Sequence, residues 1–401
     1  MIRESWDETA ARRARIRGCL LGGAIGDALG NPIEFLSLSR IRETYGPEGI
    51  TALVPDSDGV TGRITDDTQM TLFTAEGLIR ACARASLKGI GGAEIAIVRN
   101  AYLRWLETQN HPAPPPARQE HDLVRSGWLR EQPWLYARRA PGNACLSGLE
   151  HDHIPTHSDP LDGTPGPVNT GSKGCGTVMR SAPFGLTGAS ARDCFELAAR
   201  CARITHGHPT GSYAAGALAA MIAHLVEGDS MEGSVLRTLE LLARYPGHEE
   251  TTAALRKAVA LAAEGEPSAE KTETLGGGWI AEEALAIAVY SALAHATPRP
   301  GLYNKGGGIG YDPKWRRTPL QRALLLSVNH SGDSDSTGSI CGNLLGAHYG
   351  DLRLPPMWLT RIEGRGTIAE VADDFSSVFH QSIEMYEYDG RIFPDSRYPL
   401  Y

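Results

Sequence analysis

No C-x-x-C pair occurs in this chain, and its seven cysteines stand singly at positions 19, 82, 145, 175, 194, 201 and 341. An odd, scattered set excludes a disulfide framework or a zinc ribbon and fits buried thiols in a reducing cytoplasm. No block of Lys or Arg stands out either. With 39 basic against 47 acidic residues the net charge is -8, which argues against nucleic acid as a structural partner, since backbone binding needs a basic face. No uninterrupted apolar run of about 18 residues is present, and the start MIRESWDETAARRARIRG has no apolar signal-peptide core, so a membrane is not expected. Alternating runs of β-branched residues are nearly missing, which argues against a sheet.

What remains is helical periodicity. Apolar residues recur at helical spacing over about 11–30, 67–86, 91–108, 192–204, 211–227, 234–244, 251–264, 279–296, 318–328, 336–348 and 366–386, so the chain reads as all-α. The 401 residues, 41% hydrophobic and 21% charged, suffice for a large core. No composition break or internal repeat divides them, and a single domain over 1–401 is the simplest organisation. Glycines at 18, 22, 26 and 30 form a row free of side chains along the first helix. Each costs about 1 kcal/mol of helix propensity, so the row predicts close approach of another helix or a ligand. The stretch 109–175 is rich in Pro, Gly, His and Asp and predicts a long irregular segment of the functional or mobile kind.

Two acidic clusters lie far apart in sequence: Thr65-Asp66-Asp67-Thr68 and Ser331-Gly332-Asp333-Ser334-Asp335-Ser336-Thr337-Gly338. Taken singly, such clusters are most often turns or helix caps. The first directly precedes an apolar helical run, with Thr65 or Asp66 at the N-cap and Asp67 in the first turn. The second fits an EF-hand loop at Asp333, Asp335 and Gly338, but its twelfth position is Leu344 rather than a bidentate Glu, so an isolated Ca²⁺ loop is not expected. Brought together, four carboxylates and several hydroxyls would suit two hard divalent cations such as Mg²⁺, Mn²⁺ or Ca²⁺, and a two-metal site usually serves hydrolysis or group transfer.

Other residues carry weaker signals. Asp27 sits among small and apolar residues of the first helix and should be paired. Glu34, just past Pro32, reads as a surface carboxylate or as a loop-borne general acid/base, the surface reading being favoured by the residues alone. Asn169-Thr170-Gly171-Ser172-Lys173-Gly174-Cys175-Gly176 is a Gly-rich loop without a Walker A ending, able to offer backbone N–H groups to a phosphate. His206-Gly207-His208 precedes Pro209 between helices, which favours substrate contact or capping over zinc ligation. Trp279, after three glycines, reads as core.

In this order the segments GCLLGGAIGDALGNPIEF, ITDDTQMTLFTAEGLI, RAPGNACLSGL, NTGSKGCGTVMRSAPFGL, ITHGHP and VNHSGDSDSTGSICGNLLGAHYG resemble the ADP-ribosylglycohydrolase family, over roughly 15–350. The resemblance implies an orthogonal helical bundle with a binuclear Mg²⁺ or Mn²⁺ centre. Metal ligands would fall on Thr65, Asp66, Asp67, Asp333, Asp335 and Ser336, the last often Thr in the family. Asn143 and the loop of Ser172, Lys173, Gly174 and Gly176 would line an ADP-ribose cleft, with His206 and His208 nearby. Glu34 rises to a candidate catalytic carboxylate beside Asp66 and Asp67. The implied substrate is an ADP-ribosylated protein, with arginine the preferred acceptor and a cognate ADP-ribosyltransferase as a possible opponent. Serine, nucleobase or small-molecule linkages, or a non-catalytic immunity-type binder, are the alternatives. The insertion around 109–165 and the aromatic tail after Glu384 exceed a minimal family member and carry no transferred role.

Overall fold

A computed structural model describes residues 6–296, 317–380 and 397–400, together with the backbone of 387–388 and 391–392. The aromatic tail lies mostly outside the described residues. The fold is all-α, as the periodicity predicts. Fifteen α-helices are described: α1 (Trp6–Gly30), α2 (Leu38–Tyr45), α3 (Asp66–Lys88), α4 (Glu94–Asn110), α5 (Asn143–Leu149), α6 (Ala191–Ala202), α7 (Pro209–Val226), α8 (Met231–Leu242), α9 (Glu249–Ala263), α10 (Ala269–Glu273), α11 (Ala281–Ala296), α12 (Pro319–Val328), α13 (Ser334–Tyr349), α14 (Pro356–Leu359) and α15 (Arg365–His380). Extended pairing is limited, among the described residues, to a two-residue hairpin, β1 (Glu387–Tyr388) with β2 (Arg391–Ile392), and isolated bridges. No described helix is long and apolar enough to cross a membrane.

The core is built on helices buried nearly all round. The Ala-rich α7 is closed to solvent from Pro209 to Ala223, and α13 from Ser334 to Ala347. A helix without a polar face must lie inside a layer of others, and α7, α11 and α13 fill that role. Small residues let the layers approach closely. Gly18, Gly22, Gly26 and Gly30 of α1 face Gly346, Gly342, Gly338 and Ser334 of α13, backbone against backbone. A Cβ at Gly26 would stand 2.9 Å from Ser339 N and nearer still to the Gly338 carbonyl. The glycine row therefore serves packing, and its partner is the glycine row of α13. This contact brings the end of α1 beside the start of α13, and so brings Glu34 to the second acidic cluster.

The helix α3 begins at an N-cap, Thr65, whose hydroxyl accepts from Asp67 N at 3.4 Å, and stops at Gly89 in the left-handed region. The residues after α4 are largely irregular but pinned to α3 and α4. Glu76, fully buried, pairs with Arg80 and Arg104 at 2.7 Å each. Those arginines donate to Ser126 O and Leu123 O at 2.8 Å. Gln69 donates to Leu135 O and Ala137 O. Removing Glu76, Arg80 or Arg104 would strand a buried charge, at about 3–5 kcal/mol. Past them α5 is a short helix that sequence periodicity misses, lying inside the Pro/Gly-rich stretch.

Candidate active site

Three chain segments meet in one acidic pocket: the exit of α1 (Asp27, Glu34), the start of α3 (Asp66, Asp67) and the start of α13 (Asp333, Asp335). Carboxylate oxygens of Glu34, Asp333 and Asp335 lie within 4.8 Å of one another. Asp66 and Asp67 feel the charge of Asp335 as the strongest Coulombic influence on each. The two clusters that sequence separates by some 270 residues are therefore neighbours in space.

The local architecture explains how the site is held. Asp27 is wholly buried and accepts from Thr65 N at 3.0 Å, Thr68 N at 3.1 Å and Thr68 Oγ1 at 2.5 Å. It thereby caps α3 from another helix and fixes the backbone that carries Asp66 and Asp67. Asp333 N donates to Gly277 O at 2.8 Å, and the Cys175 thiol donates to Asp333 Oδ2 at 2.8 Å. Asp335 Oδ1 accepts from Ser336 N at 2.9 Å. The backbone N–H of Gly142, just before Asn143, faces Asp66 and partly offsets the upward shift of its pKa.

Electrostatics make this arrangement expensive for bare carboxylates. Burial, then repulsion from Asp335, pushes Asp66 and Asp67 well above the usual carboxylate range. The same two causes raise Asp333 well above it and Asp27 to about 7. Glu34 is pushed up to about 11 by burial and by Asp335, Asp333 and Asp66. Such a set is balanced at neutral pH only by protons or cations. Among the described residues, Asp67 Oδ1 is buried with no hydrogen-bond partner. An all-oxygen donor set with an orphaned carboxylate oxygen fits a hard divalent cation.

The remaining candidates surround this pocket unevenly. Ser336 is buried beside Asp335, and Thr65 lies at the α3 cap. Asn143 is exposed at the first turn of α5. In the glycine-rich loop, Ser172 and Gly174 are half-buried and Gly176 is buried, packed against Cys145 and His206. Lys173 binds Glu250 at 2.7 Å and Glu282 at 2.5 Å, so its charge is already engaged. His206 lies beneath the loop with Nδ1 at 2.7 Å from Thr205 Oγ1, and burial lowers its pKa to about 3. His208 N-caps α7 through Nδ1, which accepts from Thr210 N at 3.2 Å. Cys175 and Cys82 are half-buried and the other five cysteines buried, all unpaired.

Trp279 departs from the expectation of a core residue. It is partly exposed and stacks on Phe35, because the turn of Gly276, Gly277 and Gly278 turns it outward beside the pocket. Sequence reasoning gave Asp27 no part in the site, although its place among small apolar residues marked it as paired. Cys175 was also passed over, and only its neighbourhood in the Gly-rich loop pointed to it.

Comparison with known proteins agrees with the helical fold. A family model described as ADP-ribosylglycohydrolase matches residues 8–384. An ADP-ribosyl-[dinitrogen reductase] glycohydrolase of Rhodospirillum rubrum is 25% identical over 87% of this chain and 90% of its own length. ADP-ribosylhydrolase ARH3 of Gallus gallus is 24% identical over 92% of this chain and 95% of its own. A solved structure titled ADP-ribosylglycohydrolase-related protein complex superposes with a TM-score of 0.55 at 23% identity, covering 92% of this chain and 99% of the other. At that identity the likeness speaks to the fold.

Proposed function

The chain belongs to the ADP-ribosylglycohydrolase family, and from that premise we propose that it removes ADP-ribose from modified protein side chains, with arginine as acceptor. The observation that carries the reading is the meeting of Glu34, Asp66, Asp67, Asp333 and Asp335 in one pocket. Hydrolysis at an anomeric carbon passes through an oxocarbenium-like state, which paired carboxylates stabilise while one delivers or accepts a proton. Few other tasks account for so many buried acids at one point.

Thr65, Asp66, Asp67, Asp333, Asp335 and Ser336 would hold two Mg²⁺ or Mn²⁺. When bound, such ions supply Lewis-acid polarisation and a water acidified to near-neutral pKa. The protein's own groups do the rest. Glu34, half-buried with its carboxylate within 4.8 Å of those of Asp333 and Asp335, is placed to give a proton to the departing nitrogen as the C–N glycosidic bond breaks. Asp67, with its free Oδ1, is suited to take the proton of the incoming water, whose oxygen ends on the sugar. Asp66 adds negative charge where positive charge builds. Asn143, Ser172, Gly174, Gly176, His206 and His208 would bound the ADP-ribose cleft. With the Lys173 ammonium engaged by two glutamates, the loop would meet the diphosphate chiefly through backbone N–H groups.

We take the chain as one domain carrying an inserted segment around 109–165. Its partner would be an ADP-ribosylated protein and, on the opposing side, a transferase that installs the mark. Unpaired cysteines support a cytoplasmic setting. The test is incubation of the purified protein with arginine-, serine- and nucleobase-linked ADP-ribose, with and without EDTA. Release from the arginine linkage that EDTA stops supports the reading, and no release from any linkage overturns it.

A further inference from the structure

The rim of the acidic pocket carries two aromatic rings that the chemistry above leaves without a task. Phe35 follows Glu34 directly, and its ring stacks on Trp279 with centroids 5.2 Å apart and planes inclined by 24°. The pair is not interior packing, because 65% of Phe35 and 42% of Trp279 remain exposed. Phe35 also holds φ at 68°, a left-handed conformation that bulky residues rarely adopt and that persists mainly where surroundings enforce it. Those surroundings are the site itself. Phe35 N donates to Gly332 O at 3.3 Å, next to Asp333. Cys175 N donates to Trp279 O at 3.1 Å, and the Cys175 thiol reaches Asp333. The backbone thus fastens each ring to a segment that bears a pocket carboxylate.

Charge decides what such a surface takes. Glu34, Asp333, Asp335 and Asp66 crowd the pocket beneath it. Lys173 of the adjoining loop is held by Glu250 and Glu282, and so does not supply the rings with a cation. An exposed aromatic face attracts a planar cation and offers little to a phosphate or a hydroxyl. A guanidinium suits both components at once, lying flat on a ring while its N–H edge meets carboxylate oxygens.

We propose that Phe35 and Trp279 form the leaving-group subsite and that it selects a guanidinium, favouring arginine-linked over serine-linked ADP-ribose. The inference rests on the hydrolase reading above and adds the residues that set its acceptor. Both rings are partly exposed, so their removal should spare the fold.

The experiment compares wild type, Phe35→Ala, Trp279→Ala and Trp279→Phe on arginine-linked and serine-linked ADP-ribosyl peptides, with agmatine as a competing guanidinium. Each alanine variant should lose roughly tenfold in kcat/KM on the arginine linkage, mainly through KM, and less than about threefold on the serine linkage. Trp279→Phe should stay within about threefold of wild type, and the agmatine inhibition constant should rise roughly tenfold in Trp279→Ala. Equal losses on both linkages, unchanged agmatine inhibition, or wild-type activity on serine alone would overturn the proposal. Should wild type cleave neither linkage, the hydrolase reading falls separately. Calorimetry with agmatine then decides the subsite: binding weakened in Trp279→Ala supports it, and no binding or equal binding overturns it.

Discussion

Replacing Gly30 by Ala tests how the α1–α13 contact builds the pocket. Gly30 closes α1 at φ -73° and ψ -38°, a conformation alanine adopts freely, so the substitution carries no backbone strain. Propensity alone would favour Ala in a helix interior by up to about 1 kcal/mol. The added Cβ, however, would overlap the Ser334 carbonyl and the Asp335 N–H, falling about 1 Å or more short of the ~3.5 Å at which heavy atoms rest in contact. Both are backbone atoms, so the start of α13 must retreat. Overpacking of this kind costs about 1–3 kcal/mol. A displacement of about 1 Å at the reacting groups costs up to about 10²-fold in rate, and Asp335 lies at that point. Gly366→Ala is the matched control, since among the described residues a Cβ there meets nothing within 4 Å. Urea unfolding and kcat/KM for ADP-ribose release should show Gly30→Ala destabilised and slowed, with Gly366→Ala neutral or slightly stabilised. If Gly30→Ala matches Gly366→Ala in both assays, the helix contact does not set the pocket.

Three further outcomes follow from the site. Glu34→Gln keeps volume but removes the exchangeable proton, so kcat should fall by about 10²–10⁴ with little change in KM, read by steady-state kinetics. His206 is held at about 3 by burial and then by Arg180, against an ordinary value of 6.5. Its folded value is depressed, so its contribution is full above the unfolded value and is lost as pH falls from about 6.5 toward 3, amounting to about 2 kcal/mol by pH 5. Between pH 7.5 and 5 the urea midpoint of wild type should therefore fall relative to that of His206→Gln; equal slopes would contradict the buried neutral imidazole. Without divalent ions, Asp335→Ala should melt above wild type because a repelling carboxylate is gone. With Mn²⁺ at about 100 times its dissociation constant, wild type should gain roughly 2.7 kcal/mol for each ion bound and the variant much less, both read by thermal shift.

Much of this architecture was legible in the chain before any coordinates. The long helices follow apolar spacing, and α3 begins where Thr65-Asp66-Asp67 announced a cap. Short helices such as α2, α5, α10 and α14 escaped because four to eight residues hold too few turns to show a period. The α1 glycine row signalled a close neighbour, but the partner was overlooked although Gly338, Gly342, Gly346 and Gly350 repeat the same four-residue step. The residues alone leave each acidic cluster open as a turn or a cap, and it is the family resemblance that implies their meeting at one metal centre. The sequence could not show which neighbours each acid would meet. Asp27 acts through α3 from another helix, and Trp279 turns outward on a glycine turn, neither of which periodicity encodes. The engagement of Lys173 is likewise hidden from periodicity, because its glutamate partners lie 77 and 109 residues away in the chain.

The most direct measurement is electron paramagnetic resonance of the full chain titrated with Mn²⁺, alongside Asp66→Asn and Asp335→Asn. Two ions per chain with mutual spin coupling, weakened by a substitution on either helix, is the predicted result. Ions bound independently, or binding that survives both substitutions, would contradict a shared cation site formed by the starts of α3 and α13.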